Sequence, residues 1–415
     1  MAYLPRALDK ALDVLMNGVP AIAIDGPKGV GKTETCLQRA DYSLRLDMDE
    51  DVEVFRADPS FATHSSGTLL IDEWQKEPVS WDYVRRAVDS GAESGRFLLT
   101  GSATPKAGTD THSGAGRIIS LRMRPMALFE RLGVEASVSL QALFKGEAEI
   151  VGKSEWGIED YVKAIEQSGL PGVLSLPDIE RKIALDGYLN RIIDRDLPDQ
   201  GYFVRDRQGL QLWMRSYAAL SSTDASYTEI LDRATPGESK KPNKITTGTY
   251  RSKLTEIWML DPVRAWQSVF NPIPRVKVAD KHQLADPAFA VRLLEIPSLG
   301  LLRKPYSKLL GPLFESLATL SVRVAVEAQF GQVGHLRTRN GDHEIDLIAT
   351  SLDGAHIAFE VKAARAIRDE DVKHLLWLKE QLGDEIVDLV VLYSGSIAYR
   401  RQDGVAVIPL SLFGF

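Results

Sequence analysis

One run of eight residues constrains the fold of this chain more than any other feature. Residues 26–33 read Gly-Pro-Lys-Gly-Val-Gly-Lys-Thr and match the pattern G-x4-G-K-T in full. The apolar run 21–24 before it predicts a buried strand, and residues 33–42 after it predict a helix. Glycines in such a loop let backbone N–H groups surround phosphate oxygens at the start of a helix. The N-terminal part of the chain is therefore expected to form an α/β domain that binds a nucleotide.

The residues of this loop have distinct expected roles. Those expected to contact the nucleotide are Gly26, Pro27, Lys28, Gly29, Val30, Gly31, Lys32 and Thr33. Lys32 would reach the β and γ phosphates, and the hydroxyl of Thr33 would bind Mg²⁺. ATP and Mg²⁺ are therefore the expected cofactors, and Lys32 is also a candidate catalytic residue.

A second motif supports the first. The short apolar run 68–71 ends in Asp72 and Glu73. In P-loop ATPases a strand with an acidic end holds Mg²⁺, and a neighbouring carboxylate orients and polarises the attacking water. We therefore expect Asp72 to bind the metal ion and Glu73 to be the catalytic base. A plain strand end with solvated carboxylates is the alternative, and the order of the two motifs disfavours it.

Two later segments offer further candidates for the nucleotide site. The apolar run 96–99 ends near Thr100 and Ser102, and either side chain would lie beside the γ-phosphate and sense hydrolysis. An ordinary strand-to-loop turn is the alternative. Arg117, which follows the glycine-rich run 108–116, is the first candidate for an arginine finger that neutralises transition-state charge. A solvated surface arginine is the alternative there.

These motifs together resemble a known group. In chain order, GPKGVGKT, LLIDEWQ, LLTGSATP and GRIISLRMRPMALFER resemble the AAA-type ATPases of bacteria and archaea that carry a C-terminal domain of unknown function. The resemblance implies an ATPase core, here residues 1–133, in which Glu73 is the catalytic glutamate. Residues 125–130 depart from the usual Pro-Leu-Ser-Phe-x-Glu stretch of that group.

The middle of the chain shows helical patterns. Apolar residues three and four apart predict amphipathic helices in a connector, residues 134–205, that packs on the ATPase domain. Further helical segments predict a winged-helix-like domain over residues 206–285. Its last helix follows the basic segment 240–244, so it would enter the major groove of DNA, and a protein-binding winged helix is the open alternative. The candidate contacts are Thr246, Thr247, Thr249, Tyr250 and Arg251.

The C-terminal third contains two alternating segments. Residues 344–349 and 357–363 predict two strands, and their apolar faces coincide only when Asp346 pairs with Glu360, around a loop of odd length centred on Asp353. This register places Asp346, Glu360 and Lys362 on one face. Two carboxylates and a lysine so placed suit metal-assisted phosphodiester hydrolysis.

This pattern resembles the restriction-endonuclease-like PD-(D/E)xK superfamily. The resemblance implies a small α/β domain over residues 286–415, with Asp346, Glu360 and the upstream helix residue Glu315 as metal ligands. Asp346, Glu360 and Lys362 are then the candidate catalytic residues. A charged hairpin face, with Lys362 paired to its neighbours, is the alternative.

Composition limits the remaining choices. The net charge of −7 gives no overall basic footprint for nucleic acid, and one cysteine with seven scattered histidines disfavours disulfide scaffolds and zinc enzymes. No apolar run approaches the ~18–20 residues of a membrane span, so a cytoplasmic protein without a membrane partner is expected. The fold class is therefore α/β, with an ATPase, a connector and an endonuclease-like domain.

Three functions are compatible with these features. The first is Mg²⁺-dependent ATP hydrolysis coupled to a nuclease-like domain that interacts with DNA. The second is an ATP-dependent switch that binds a protein partner through an inactive C-terminal domain, and the third is an ATP-dependent transcription regulator. Homo-oligomerisation is also left open, because an arginine finger acts either within one chain or between two.

Overall fold

The computed structural model of the chain describes residues 3–59, 66–102, 115–235, 244–267, 273, 279–339 and 341–415. Its N-terminal part is built on a five-stranded parallel sheet with the spatial order β2–β3–β4–β1–β5. The strands are β1 (Ala21–Asp25), β2 (Tyr42–Arg45), β3 (Leu69–Asp72), β4 (Phe97–Gly101) and β5 (Ile119–Arg122). The central strands read as continuous apolar runs because helices cover both faces of such a sheet.

Four helices accompany this sheet in the described part of the chain. They are α1 (Ala7–Met16), α2 (Lys32–Leu37), α3 (Asp49–Ala57) and α4 (Val79–Asp89), and a 3₁₀ turn, Trp74–Lys76, follows β3. Strand β4 lies between β1 and β3. The carboxyl ends of these three strands therefore meet at one edge of the sheet, which is where the predicted nucleotide residues are located.

The middle region is mainly helical. It contains α5 (Leu128–Leu132), α6 (Leu140–Lys145), α7 (Ile158–Gln167), α8 (Pro171–Leu174), α9 (Asp178–Arg191), α10 (Arg207–Ala219), α11 (Tyr227–Arg233) and α12 (Lys244–Glu256). A π-helical turn, Ile192–Asp196, and a further turn, Leu197–Asp199, extend α9. Residues 260–263 and 281–284 then form an antiparallel pair, which we call the linking ribbon.

The C-terminal region is built on a seven-stranded mixed sheet in the order β7–β12–β13–β11–β10–β9–β8. Its strands are β7 (Gly152–Lys153), β8 (Gln332–Arg337), β9 (Glu344–Thr350), β10 (His356–Lys362), β11 (Ile386–Tyr393), β12 (Ile397–Arg400) and β13 (Ala406–Pro409). The helices are α13 (Pro287–Leu293), α14 (Leu310–Glu327) and α15 (Asp369–Leu382), with 3₁₀ turns at Gly300–Leu302, Tyr306–Leu309, Gly383–Glu385 and Leu410–Leu412. The α/β class predicted from the sequence is confirmed for both sheet regions.

Two very short strands tie the connector to this C-terminal region. Strand β7 pairs with β12, and β6 (Val138–Ser139) pairs with β14 (Phe413–Gly414). The expected connector thus packs on the C-terminal domain as well as on the ATPase domain. Strands of two residues carry no periodic signal, so this second attachment could not be predicted from the sequence.

The register of the β9–β10 hairpin is the predicted one. His356 lies opposite Thr350 and Phe359 lies opposite Leu347, and the same register continues towards Glu360 and Asp346. The backbone N–H of Ser351 donates to the carbonyl of Ala355, which leaves a loop of odd length centred on Asp353. The interior residues of both strands are buried, so a slip by one residue would exchange their two faces.

One helical segment among the described residues, Tyr306–Glu327, is long and apolar enough to span a membrane by length and composition. This segment was not predicted from the sequence, because Glu315 and Arg323 interrupt the apolar run. In the structure 67% of its most apolar window is buried inside the protein, where Leu313, Phe314 and Leu317 belong to the main hydrophobic core. The segment therefore has the burial of a core helix.

Candidate functional site

The loop at residues 26–33, called the P-loop below, has a backbone that requires glycine at two positions. Gly26 has φ +155°, and a Cβ there would lie 2.1 Å from the carbonyl oxygen of Met123. Gly31 has φ +99° and begins α2. Lys32 donates from Nζ to the carbonyls of Gly26 at 2.9 Å and Pro27 at 2.8 Å, and burial lowers the pKa of Lys32 to about 8. A compact loop with an inward ammonium group is suited to phosphate binding.

Three neighbouring elements bring oxygen atoms together beside the P-loop. Thr33, at the start of α2, donates from Oγ1 to Oδ1 of Asp72 at 2.8 Å. Thr100, at the end of β4, donates to the same carboxylate oxygen. A threonine hydroxyl next to a carboxylate is a donor set that Mg²⁺ accepts when phosphate and water complete its octahedron. The residues present therefore fit a magnesium ion here.

Glu73 is held in an unusual backbone conformation. Its φ is 54°, in the left-handed region that non-glycine residues rarely adopt, and such conformations cluster at functional sites. Its Oε2 accepts hydrogen bonds from Ser102 Oγ at 2.9 Å and from Gln75 Nε2 at 2.5 Å. Ser102 was among the predicted residues. Gln75 was missed, although it stands two residues after Glu73 in the same motif.

Arg117 does not lie near the P-loop of its own chain. Strand β5 runs parallel to β1 with Arg122 level with Asp25, so Arg117 lies at the opposite edge of the sheet. Its Nε pairs with Asp89 Oδ1 at 2.9 Å on the surface. Arg117 is thus not placed to contact a nucleotide bound at the P-loop of its own chain, and its role as an arginine finger, which acts either within one chain or between two, stays a prediction. Residues 108–114 of the preceding glycine-rich run lie outside the described residues.

Arg122 and Arg124, which follow Arg117 in the same segment, make a buried contact between domains. Arg122, Arg124 and Arg323 all bind the carboxylate of Asp261, at 2.9, 2.6 and 2.9 Å. Burial alone would raise the pKa of Asp261, but the three arginines hold it well below its usual range. Arg124 also pairs with Glu327 of α14. This group, the Asp261 cluster, joins the ATPase sheet to the linking ribbon and to α14.

A buried arginine near the N-terminus connects the P-loop to that cluster. Arg6 donates to the carbonyl of Val30 at 2.8 Å and to the carbonyl of Arg124 at 2.8 Å. Its Nε also pairs with Glu130 Oε1 at 3.1 Å. Sequence reasoning missed Arg6, because an isolated arginine before the first strand matches no motif.

The connector lies directly on the P-loop. Lys28 Nζ pairs with Asp196 Oδ1 at 2.5 Å, and the hydroxyl of Tyr188 donates to the carbonyl of Lys28 at 3.2 Å. A pocket of about 280 Å³ lies beside the loop, and its lining includes Tyr3, Arg6, Gly31, Thr35, Met123 and Pro171. The connector thus contacts the P-loop through Tyr188 and Asp196.

Two of the five candidate DNA contacts on α12 are not available at the surface. Thr247 and Tyr250 are buried, and Tyr250 is only 2% exposed. Arg251 is exposed but lies over the ring of Tyr227, 4.3 Å from its centroid. Apolar periodicity alone does not fix which face of a short polar helix packs inward. Lys240 and Lys241 of the basic segment lie outside the described residues.

The C-terminal hairpin brings together the predicted acidic residues. Lys362 Nζ pairs with Glu360 Oε1 at 2.6 Å, and the backbone N–H of Val361 donates to Asp346 Oδ2 at 2.9 Å. Burial, with the nearby charge of Asp346, raises the pKa of Glu360 to about 8. The same two causes raise the pKa of Glu315 to about 8.

A lysine that the sequence analysis did not consider lies among these carboxylates. Lys281 of the linking ribbon is 1% exposed, and its Nζ lies 2.9 Å from Glu315, 3.0 Å from Asp346 and 3.4 Å from Glu344. Burial alone would lower the pKa of Lys281, but the three carboxylates raise it well above its usual value. We call the following six residues the C-terminal cluster: Lys281, Glu315, Glu344, Asp346, Glu360 and Lys362.

The C-terminal cluster does not fit a metal ion. Within the described parts of the chain, no three or more His, Cys, Asp or Glu side chains are arranged to hold one. The metal-binding role expected for Asp346, Glu360 and Glu315 therefore disagrees with this arrangement. An ammonium group already lies between two of these carboxylates.

Family models match three segments of the chain. An AAA domain model matches residues 19–132, which contain the P-loop and the Asp72–Glu73 strand end. A domain of unknown function, DUF4143, matches residues 310–413. The chain therefore combines an AAA-type P-loop ATPase domain with a C-terminal DUF4143 domain. Another domain of unknown function, DUF8612, matches residues 158–300 of this ATPase, across the connector and the three helices α10–α12.

Two curated relatives and two solved structures are similar to this chain at low sequence identity. Uncharacterized proteins Rv2008c of Mycobacterium tuberculosis and Mb2031c of Mycobacterium bovis are each 25% identical over 420 residues, covering 98% of this chain and 82% of the relative. The Walker-type ATPase PABY2304 of Pyrococcus abyssi has a TM-score of 0.42 and 13% identity, covering 70% of this chain and 96% of its own. The ORC2 protein of Aeropyrum pernix has a TM-score of 0.31 and 12% identity, covering 69% and 91%.

Proposed function

We propose that this ATPase works with Mg²⁺ as an ATP-driven conformational switch, in which the nucleotide site acts on the C-terminal DUF4143 domain. The observation that carries this proposal is the Asp261 cluster, a buried charge network between the two regions. Removing one partner of a buried ion pair is strongly destabilising, so we expect the paired residues of this network to move together.

The ATPase half of the proposal assigns a role to each side chain of the nucleotide site. Thr33 and Asp72 would hold Mg²⁺, which would neutralise charge on the phosphates, and Lys32 would contact the β and γ phosphates. Glu73 would orient the water that attacks the γ-phosphate. Its Oε2 accepts hydrogen bonds from Ser102 and Gln75, and Oε1 would face the water.

The transmission half follows a short chain of contacts. Arg6 links the P-loop carbonyl of Val30 to the backbone of Arg124, whose side chain binds Asp261. Asp261 belongs to the linking ribbon, where its N–H donates to the carbonyl of Gln283 at 2.8 Å. Lys281, two residues before Gln283 on the second strand of the ribbon, belongs to the C-terminal cluster. A shift of the P-loop on nucleotide binding would therefore reach the ribbon through rigid polar contacts.

Amide hydrogen exchange tests this transmission. A Glu73→Gln chain that binds ATP without hydrolysing it should show changed exchange at residues 281–284 when ATP and Mg²⁺ are added. Adding Asp261→Asn to that chain should abolish the change while ATP binding, measured with a fluorescent analogue, persists. If the chain binds ATP but hydrogen exchange at the linking ribbon stays unchanged, that result would contradict the switch. Phosphate release by the unmodified chain tests the ATPase half separately.

Contact with DNA is the second candidate function, and one observation favours it. Helices α10, α11 and α12 followed by the linking ribbon have the element order of a winged helix, which supports the predicted domain at residues 206–285. Duplex DNA should then raise the ATPase rate, and the effect should fall with added salt because phosphate contacts release counterions. Arg251→Ala should weaken the effect. An unchanged rate at low salt would leave the protein-binding alternative.

A further inference from the structure

We propose that the ammonium group of Lys281 is the resident cation of the C-terminal cluster and replaces the divalent metal that its acidic side chains would otherwise bind. The C-terminal domain would then be a non-hydrolytic module, stabilised by an internal charge instead of a metal ion. This inference concerns only that domain and does not depend on coupling to ATP hydrolysis.

The first argument is the coordination of the ammonium group. A lysine ammonium has three protons, and Lys281 has three carboxylate neighbours, Glu315, Asp346 and Glu344, at 2.9–3.4 Å. These carboxylates come from α14 and β9, whereas Lys281 comes from the linking ribbon. The group is thus surrounded by oxygen atoms from separate elements, as a bound cation is.

The second argument is that few carboxylate oxygens are left for a metal ion. Oδ1 of Asp346 accepts from Lys281 and Oδ2 accepts from the N–H of Val361. Oε1 of Glu315 accepts from Lys281, and Oε1 of Glu360 accepts from Lys362. Oε2 of Glu360 is buried without a partner among the described residues. Because the ammonium group of Lys281 occupies the position between Glu315 and Asp346, Mg²⁺ would have to displace it to bind both carboxylates.

The third argument is that Lys281 is fixed at its backbone. Its N–H donates to the carbonyl of Val263 and its carbonyl accepts from the N–H of Val263, both at 2.9 Å. The side chain is 1% exposed, so it is not a surface lysine that folds into the cluster from solvent. Withdrawal of the ammonium group therefore requires the ribbon to open.

Manganese binding to the full chain without nucleotide tests the proposal. Free Mn²⁺ is followed by electron paramagnetic resonance for the unmodified chain and for Asp346→Asn, Lys281→Met, and Lys281→Met with Asp346→Asn. We expect the unmodified chain and Asp346→Asn to bind Mn²⁺ equally. Lys281→Met should gain roughly one further ion per chain, because the carboxylates lose their internal cation, and the added Asp346→Asn should remove it.

Several results would overturn the proposal. One is an ion bound by the unmodified chain and lost in Asp346→Asn, since Lys281 then does not replace a metal. Another is a Lys281→Met chain that is folded by circular dichroism and gains no ion. If Lys281→Met does not fold, the test rests on Mn²⁺ binding by the unmodified chain and by Asp346→Asn. Equal Mn²⁺ binding by these two chains supports the proposal. Cleavage of supercoiled DNA by the unmodified chain, lost in Lys362→Ala, would also contradict it.

Discussion

The nucleotide site and the C-terminal cluster both gather carboxylates on buried strands, but a different group faces the acids in each. Asp72 is bound by the hydroxyls of Thr33 and Thr100, and the nearby Lys32 is turned to the P-loop carbonyls. Asp346 is bound by Lys281, an ammonium group from a distant part of the chain. At the nucleotide site the negative charge of Asp72 is left for Mg²⁺ to neutralise when phosphate is bound. In the C-terminal cluster the charge of Asp346 is already balanced by Lys281. Similar side chains therefore support chemistry at one site and stability at the other.

The largest effect should follow from breaking the nucleotide site. Glu73→Gln should lower the rate of ATP hydrolysis by roughly 10²–10⁴-fold, because the amide cannot accept a proton from the attacking water. Phosphate release measures the rate, and ATP binding should persist. Glu77→Gln is the matched control, since Glu77 pairs with Arg56 near the surface of the same segment. A loss below tenfold for Glu73→Gln would show that another group activates the water.

The next effect should follow from removing the internal cation. Lys281→Met should lower the free energy of unfolding by roughly 3–5 kcal/mol, because it leaves buried carboxylates without their partner. Denaturant unfolding measures the change. Lys182→Met is the control, since Lys182 is partly exposed and pairs with Asp178 on the surface, where such substitutions change stability by less than about 0.5 kcal/mol. Equal effects of the two substitutions would mean that the C-terminal cluster does not depend on Lys281.

The same comparison shows what the sequence could and could not predict. The P-loop, the Asp72–Glu73 strand end and the hairpin register follow from contiguous residues and local alternation, so they were predictable. Lys281 and Asp261 were not, because the linking ribbon consists of isolated bridges without a periodic pattern. Their partners lie up to 139 residues away, as Arg122 does from Asp261. A motif predicts which acidic side chains lie close together, but not which basic side chain from a distant part of the chain pairs with them.

A smaller effect concerns the pH dependence of stability. The pKa of Glu360 is raised to about 8 in the folded chain by burial and by the charge of Asp346. Because this folded pKa lies above the unfolded value of about 4.3, Glu360 favours folding at low pH. Its contribution is complete below that unfolded value and is lost as the pH rises towards 8, by at most about 1.4 kcal/mol per pH unit.

Glu360→Gln measures this contribution directly. The free energy of unfolding of the unmodified chain should fall more steeply between pH 5 and 8 than that of the variant, as the amide does not titrate. Glu385→Gln, at the surface before β11, is the control and should keep the original slope. Identical slopes for Glu360→Gln and the unmodified chain would indicate that Glu360 is already ionised in the folded state, and the cluster would then carry more negative charge than we infer.

The smallest effect is expected for Arg117→Ala. This substitution tests whether the nucleotide site is completed within one chain. Arg117 forms an exposed pair with Asp89 at the far edge of the sheet, and such pairs contribute about 0–1 kcal/mol. Arg117→Ala should therefore change the ATPase rate of a dilute chain by less than about twofold, because it touches neither phosphate nor Glu73. A loss of roughly 10³-fold that appears only at high protein concentration would instead assign Arg117 to the nucleotide site of a second copy. The nucleotide site would then resemble the C-terminal cluster in one respect, since a distant cation would complete both.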